Sequence, residues 1–271
     1  MGVKDTRYIV YDTESVVDGA LLARVQYPGE KLTPEKAIER MRTEQLEATG
    51  ARSDFIPVSF HVPVSIGVAR VGAGFRLQEL TALDAPRYDP REMVSLFWRG
   101  VDVYKKASLV DFNGRCFDIP LLTLAAFRFG VSCPPYFNDP DRFGYRYRYS
   151  DKHLDLLDWM TEYGAFRLKG GLNVLAKMLG KPGKMQVRGD QVQSLYNAGR
   201  IQEINDYCLN DSLDTYFVFL RTRVLAGEIT LEEEQEIVAD ARDWIEKKAE
   251  EQPSLAEYVE CFGAWDPMPF Q

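Results

Sequence analysis

The chain has 271 residues, of which 45% are hydrophobic and 27% charged, with a formal net charge of −8. This composition is ordinary for a globular protein. It contains no apolar run long enough to cross a bilayer, and the net charge argues against a protein that coats nucleic acid.

The length allows one large domain, or one domain with an appendage. The opening MGVKDTRYIV lacks the apolar core and cleavage site of a signal peptide. Cys116, Cys133, Cys208 and Cys261 follow no metal-ligand or disulfide-scaffold spacing. A reduced, cytoplasmic setting is therefore expected. Charge is unevenly spread. Residues 142–188 hold ten Lys/Arg against four Asp/Glu, a balance of +6, and residues 228–251 hold ten Asp/Glu against three Lys/Arg, a balance of −7.

In chain order, YIVYDTE (residues 8–14) reads as a strand. Ile9 and Tyr11 fall on one face, and Tyr8 and Val10 on the other. Both faces are apolar, so the strand should be central. A charged stretch over residues 16–56 follows, with a helix expected from Thr33, where Pro34 takes the first helical position. PVSFHVPVSIGVARV and FRLQELTAL read as a hairpin around VGAG. Residues 90–106 have helical apolar spacing. SLVDF is a short buried strand, closed by the turn pair Asn113-Gly114. Helices are expected over 117–129, with Pro120 tolerated in the first turn, and over 153–163, 172–179, 200–225 and 230–250. Residues 133–150 read as a loop. Strands early and helices late point to α/β or α+β.

Four carboxylates and a tyrosine stand out. Asp12 and Glu14 alternate along a strand and so share a face. Like charges side by side repel. Either the strand ends in two solvated acids, or a divalent cation sits between them, since Mg²⁺ and Mn²⁺ prefer carboxylate oxygen. Asp118, in FNGRCFDIP, either favours a helix N-terminus or joins the same site, with Asp111 as a rival acid. Tyr207 and Asp211, in YCLND, are four residues apart and share a helix face. They are either a core tyrosine above a surface aspartate or a functional pair.

Together, D-x-E on a first strand, N-x-x-x-F-D (Asn113 to Asp118) after a later strand and Y-x-x-x-D on a late helix resemble the DEDD superfamily of 3′–5′ exonucleases. The N-x-x-x-F-D form is similar to the exonuclease domain of family B DNA polymerases. The whole chain is closer still to the stand-alone predicted exonucleases related to that domain, which HLDLLD, LGKPGK and YCLNDSLDTYFVFLR also resemble. The likeness spans residues 8–223. The histidine subclass has a histidine five residues before the last aspartate. Asp206 occupies that position here, and Tyr207 stands four before, so the tyrosine subclass is implied.

The resemblance implies a ribonuclease H-like fold, a mixed sheet with helices on both faces, over residues 1–225. Residues 226–271 would be a helical extension packed on the same domain. It also implies hydrolysis of the terminal phosphodiester of single-stranded DNA, releasing nucleoside 5′-monophosphates. Two Mg²⁺ or Mn²⁺ ions roughly 3.5–4 Å apart would carry the reaction. By resemblance Asp12 bridges both ions, Glu14 and Asp211 hold the ion that activates water, and Asp118 supports the leaving-group ion. Tyr207 orients the water. Its ordinary pKa of about 10 makes it a poor base at neutral pH.

Arg146 and Arg148, in RFGYRYRYS, alternate with aromatics as a single-strand binder would. A solvated Tyr-rich loop is the alternative. Lys181 and Lys184 of LGKPGK are candidate phosphate contacts or part of a plain helix-ending turn, and Asn113 and Phe117 adjoin Asp118 as contacts for the terminal nucleotides. His61 reads as packing or edge decoration on a strand. An RNA-directed exonuclease is the rival within enzymes. A non-catalytic binding module is expected to have lost a ligand, and here all four acids and the tyrosine are present. An adaptor role for the acidic helix near 230–250 competes with a solvated surface face.

Overall fold

A computed structural model describes residues 5–185 and 189–267. Five strands form one sheet: β1 (Thr6–Val17), β2 (His61–Gly72), β3 (Leu77–Ala82), β4 (Ser108–Asp111) and β5 (His153–Asp155). Their order is β3-β2-β1-β4-β5. β1 runs antiparallel to β2 and parallel to β4, β2 and β3 are antiparallel, and β4 and β5 are parallel. The helices are α1 (Gly19–Gln26), α2 (Pro34–Ala48), α3 (Pro90–Val103), α4 (Asp118–Phe129), α5 (Pro134–Phe137), α6 (Leu156–Met160), α7 (Gly171–Met178), α8 (Val192–Asn197), α9 (Ile201–Leu225), α10 (Leu231–Ala249) and α11 (Ser254–Glu260).

This is a mixed α/β sheet with helices on both faces, as in the ribonuclease H-like fold. β1 is central, and its period-two alternation builds both cores. Ile9 and Tyr11 pack with Val68, Leu109 and the α3–α4 side chains Phe97, Trp98 and Leu122. Val10 packs with Val71, Val110 and a layer from α9, α10 and α11 that includes Leu213, Phe217, Ile245 and Tyr258. Side chains of α10 and α11 thus enter the same core as those of α9. No helix among the described residues is long and apolar enough to cross a membrane.

Local chemistry sets the helix ends. The Thr33 hydroxyl accepts from the Lys36 amide with Pro34 in the first turn, and Thr230 forms a reciprocal capping box with Glu233. Several elements differ from the sequence reading: the short helix α5 falls in the stretch expected as a loop, and α8 and α11 lie where no helix is expected. Residues 153–163 are not one helix. Asp155 accepts the Leu157 and Asp158 amides and starts α6 at residue 156, while the three residues before it pair with β4. The stretch over 16–56 holds two helices. Asp18 caps α1 by accepting the Leu21 amide, and Gly19 lets the α2 start come close, since a Cβ there would lie 2.5 Å from the Pro34 carbonyl oxygen. Leu22, Tyr27, Ala37, Met41, Ile56 and Phe60 form a separate small core in this arm.

Lys181 is buried, not presented to a ligand. Its Nζ lies 3.9 Å from the Phe262 ring centroid and 5.2 Å from that of Phe217. Desolvation lowers its pKa to about 8. A group whose folded pKa lies below its unfolded value gains stability as pH rises between the two. Lys181→Met is therefore expected to raise the stability at pH 7, and with it the melting temperature, by about 1 kcal/mol of unfolding free energy once the lost cation–π contact is subtracted. It should also flatten the rise in stability above pH 8. A lower melting temperature at pH 7 would show that the ring contacts outweigh desolvation.

Candidate active site

The acids converge because β1 and α9 cross. Asp12 and Glu14 stand within β1, which runs on to Val17 beyond them, and Asp211 stands one helical turn past Tyr207 on α9. One oxygen from each of Asp12, Glu14 and Asp211 lies within 4.8 Å of the other two. Asp12 and Glu14 also border a cavity of about 650 Å³, which they line with Asp118, Tyr207, Asn113, Phe117 and Lys184; Asp211 is not part of that lining. That volume falls in the range of small-molecule sites.

The approach of α9 depends on Gly67, which pairs with Asp12 across the β1–β2 ladder. Its amide donates to Cys208 Sγ at 3.2 Å, and that sulfur lies 3.3 Å from the Asp12 carbonyl oxygen. Cys208 sits next to Tyr207, so this contact sets the helix against the strand directly beneath the acids.

Asp118 reaches the cavity by a separate route. The turn from β4 into α4 is moulded on two buried acids. The Asn113 and Arg115 amides donate to the Asp155 carboxylate at 2.9 and 3.0 Å. The Gly114 amide donates to Asp111 Oδ1 at 3.2 Å. A Cβ on Gly114 would lie 2.1 Å from the Asp111 carboxyl, so only glycine fits. Asp111 Oδ2 accepts from the Tyr11 hydroxyl at 2.5 Å and from His153 Nε2 at 2.7 Å. Asp111 is thus enclosed beneath the turn, whereas Asp118 lines the cavity. Thr13 Oγ1 donates to Asp118 Oδ1 at 2.5 Å, tying the start of α4 to β1.

The electrostatics of the acid cluster are those that a bound cation would relieve. Burial raises the pKa of Asp12 well above the carboxylate range, with the charges of Asp118, Asp211 and Glu14 adding to it. Glu14 is raised well above its ordinary value by burial and then by Asp211 and Asp118. Burial pushes Asp118 to about 8, with Asp111 contributing. Burial raises Asp211 to about 6, against hydrogen bonding from Tyr207 and the charge of Lys184. Tyr207 itself is raised far above its ordinary value by burial and the nearby acids, so it stays a hydroxyl donor. Crowded carboxylates with raised pKa values reverse their preference when a cation binds. The all-oxygen donor set suits a hard divalent ion.

Other sequence candidates divide. Asn113, Phe117 and Lys184 reach the cavity; Arg146 and Arg148 do not line it. Arg148 donates to Asp158 Oδ1 at 3.0 Å and its guanidinium lies 5.7 Å from the Tyr163 ring centroid. Arg146 lies 5.9 Å from that of Phe137. Both belong to a surface where Phe143, Tyr147, Tyr149 and Tyr163 are exposed and touch in sequence.

The cavity also takes in Arg42, Phe55 and His61, which the sequence reading did not assign to it. Only His61 carried a sequence signal, as one of two histidines. Its Nδ1 accepts from the Ser15 hydroxyl at 2.8 Å while Nε2 donates to the Ile56 carbonyl at 3.0 Å. That pattern holds a neutral ring, in line with the pKa lowered chiefly by burial.

A mixed sheet with an acid cluster at the β1–α9 crossing is an arrangement that could hold a divalent cation. Residues 53–262 match the family described as predicted 3′–5′ exonucleases related to the exonuclease domain of PolB, and the chain belongs to that family. The matched segment contains Asp118, Tyr207 and Asp211, and Asp12 and Glu14 precede it. A search of curated proteins finds no match.

Proposed function

We propose that the protein hydrolyses the 3′-terminal phosphodiester of single-stranded DNA and releases nucleoside 5′-monophosphates. Asp12, Glu14, Asp118 and Asp211 would hold two divalent ions, Mg²⁺ or Mn²⁺. The supporting observation is the meeting of three carboxylates from two distant chain segments within 4.8 Å, two of which, Asp12 and Glu14, line a cavity with Asp118 and Tyr207. When bound, the ions supply Lewis-acid polarisation of the phosphoryl group and a water activated at neutral pH. Tyr207 orients that water through its hydroxyl. Lys184 offsets phosphate charge, and Asn113 and Phe117 contact the terminal nucleotides. Arg146 and Arg148, beside exposed tyrosines, are proposed to meet the strand farther from the cleaved bond. A cytoplasmic setting belongs to the same proposal, supported by four free cysteines.

Calorimetric titration with Mn²⁺ tests the cation site. Binding heat is expected for the wild type and should be lost in Asp12→Ala. Equal heats for the two proteins, or none for either, would remove the basis of the mechanism.

A further inference from the structure

The candidate cavity is amphipathic. One part carries the acid cluster, and the other is aromatic, formed by Phe55, Phe112, Phe117 and His61. Phe55 belongs to the segment that leads from α2 back into the sheet. Its ring centroid lies 5.4 Å from His61 and 6.1 Å from Phe117, and the latter two lie 6.2 Å apart near perpendicular. Phe55 is nevertheless 52% exposed. A large apolar ring left open at the wall of a polar cavity leaves one π-face without a partner, which a planar ligand would cover.

The surroundings hold that ring in place. Ile56 and Phe60 lie in the small core of the α1–α2 arm. The arm is fastened to the main body by Arg128 of α4 donating to Asp18 at 2.7 Å, and it is closed on itself by the Asp18 amide donating to the Phe60 carbonyl at 2.7 Å. His61, bonded at both nitrogens, fixes the ring behind Phe55. Arg42 of α2 lines the same cavity and is 3.9 Å from Asp54, a distance that leaves its guanidinium available to a second anion. The arm thus brings a π-face and a guanidinium to the cavity.

We infer that Phe55 is the stacking platform for the 3′-terminal nucleobase, with Arg42 as an accompanying phosphate contact. The α1–α2 arm is then a specificity element that grips a single unpaired terminal nucleotide. A nucleotide matches the cavity in chemistry: its base has an apolar π-face for the aromatic wall, and its phosphate is an anion for Arg42, Lys184 and a bound cation. Stacking accepts every base, so the platform selects for an unpaired base and not for sequence. This inference rests on the exonuclease reading and deepens it.

The test is calorimetric titration, in Mn²⁺, with thymidine 5′-monophosphate and with base-free 2-deoxyribose 5-phosphate. The wild type is expected to bind the nucleotide on the order of tenfold more tightly than the sugar phosphate, the scale of one base–aromatic stack. Phe55→Ala should reduce that preference to near unity, Phe55→Trp should retain it, and Mn²⁺ affinity and melting temperature should hold in both. Arg42→Ala should weaken both ligands together. A full nucleotide preference in Phe55→Ala would overturn the inference, as would a loss of its Mn²⁺ affinity. A 5′-labelled oligonucleotide run alongside separates the two failures. Shortening by a wild type with no nucleotide preference would sink the platform alone, whereas no shortening in any metal would sink the platform and the exonuclease reading together.

Discussion

Asp12→Asn is expected to make the metal-free protein more stable at pH 8 and to abolish its metal-dependent activity. The two effects have one origin. Asp12 is held beside Glu14 and Asp211, and burial with three neighbouring acids raises its pKa well above the ordinary value. A carboxyl whose folded pKa exceeds its unfolded value contributes stability only below the unfolded value, and that contribution is lost as pH rises through the folded one. The folded values, about 6 for Asp211 and about 8 for Asp118 against an ordinary 3.8, set the window. The metal-free wild type should therefore lose stability between about pH 4 and pH 8, with Asp211 alone contributing on the order of 3 kcal/mol.

Neutralising Asp12 relieves part of that repulsion, so the fall with pH should shrink in the variant. Excess Mn²⁺ should flatten the wild-type curve and leave the variant unmoved. The catalytic effect is larger. Several kcal/mol of barrier lowering come from such ions, and about 1.4 kcal/mol corresponds to a factor of ten. A loss of roughly a thousandfold in rate is thus expected. Thermal denaturation in EDTA from pH 5 to 8 checks the first part. A variant less stable than the wild type at pH 8 would show that the acids are not in mutual repulsion.

Gly67→Ala is expected to damage the same site from beneath. The added Cβ would lie 2.6 Å from Ser212 Oγ and 2.9 Å from the Cys208 carbonyl oxygen. The serine can rotate, but the carbonyl belongs to the backbone of α9 and yields only if the helix moves. Overpacking of this kind costs about 1–3 kcal/mol. The displaced turn carries Tyr207 and, one turn on, Asp211. A shift of a few tenths of an ångström would spoil a three-carboxylate site whose oxygens must converge. Mn²⁺ affinity should fall by on the order of tenfold, although Gly67 touches no ion. A drop in melting temperature with Mn²⁺ affinity intact would show that α9 absorbs the strain away from the acids.

The parts of this site obey short-range rules that are each ambiguous alone, and it was their order along the chain, resembling a known family, that joined them into one site. Asp12 and Glu14 share a strand face, Tyr207 and Asp211 share a helix face, and Asn113-Gly114 marks the turn before Asp118. The alternation of Tyr8 to Tyr11 placed β1 at the centre of the sheet with both faces covered. What stayed hidden depends on long-range contact. Residues 153–155 form a strand because β4 offers them a parallel partner, and three residues are too few for a periodic signal. Arg42 and Phe55 reach the cavity through the arm's own small core, and nothing in their local sequence marks them. Lys181 and Lys184 are three residues apart in LGKPGK, yet one is buried over Phe262 and the other lines the cavity. Composition could not separate them. The arginine–tyrosine run showed its chemistry plainly, but its position outside the cavity lining followed only from the fold.

The most direct measurement is a time course on 5′-labelled single-stranded DNA and RNA of matched sequence. Each would be run with Mg²⁺, Mn²⁺ or EDTA, for the wild type and Asp12→Ala. The account predicts a ladder that shortens from the 3′ end only when metal is present, with DNA shortened faster than RNA and Asp12→Ala inactive. Intact substrate in every metal lane, or shortening that persists in EDTA or in the variant, would contradict it.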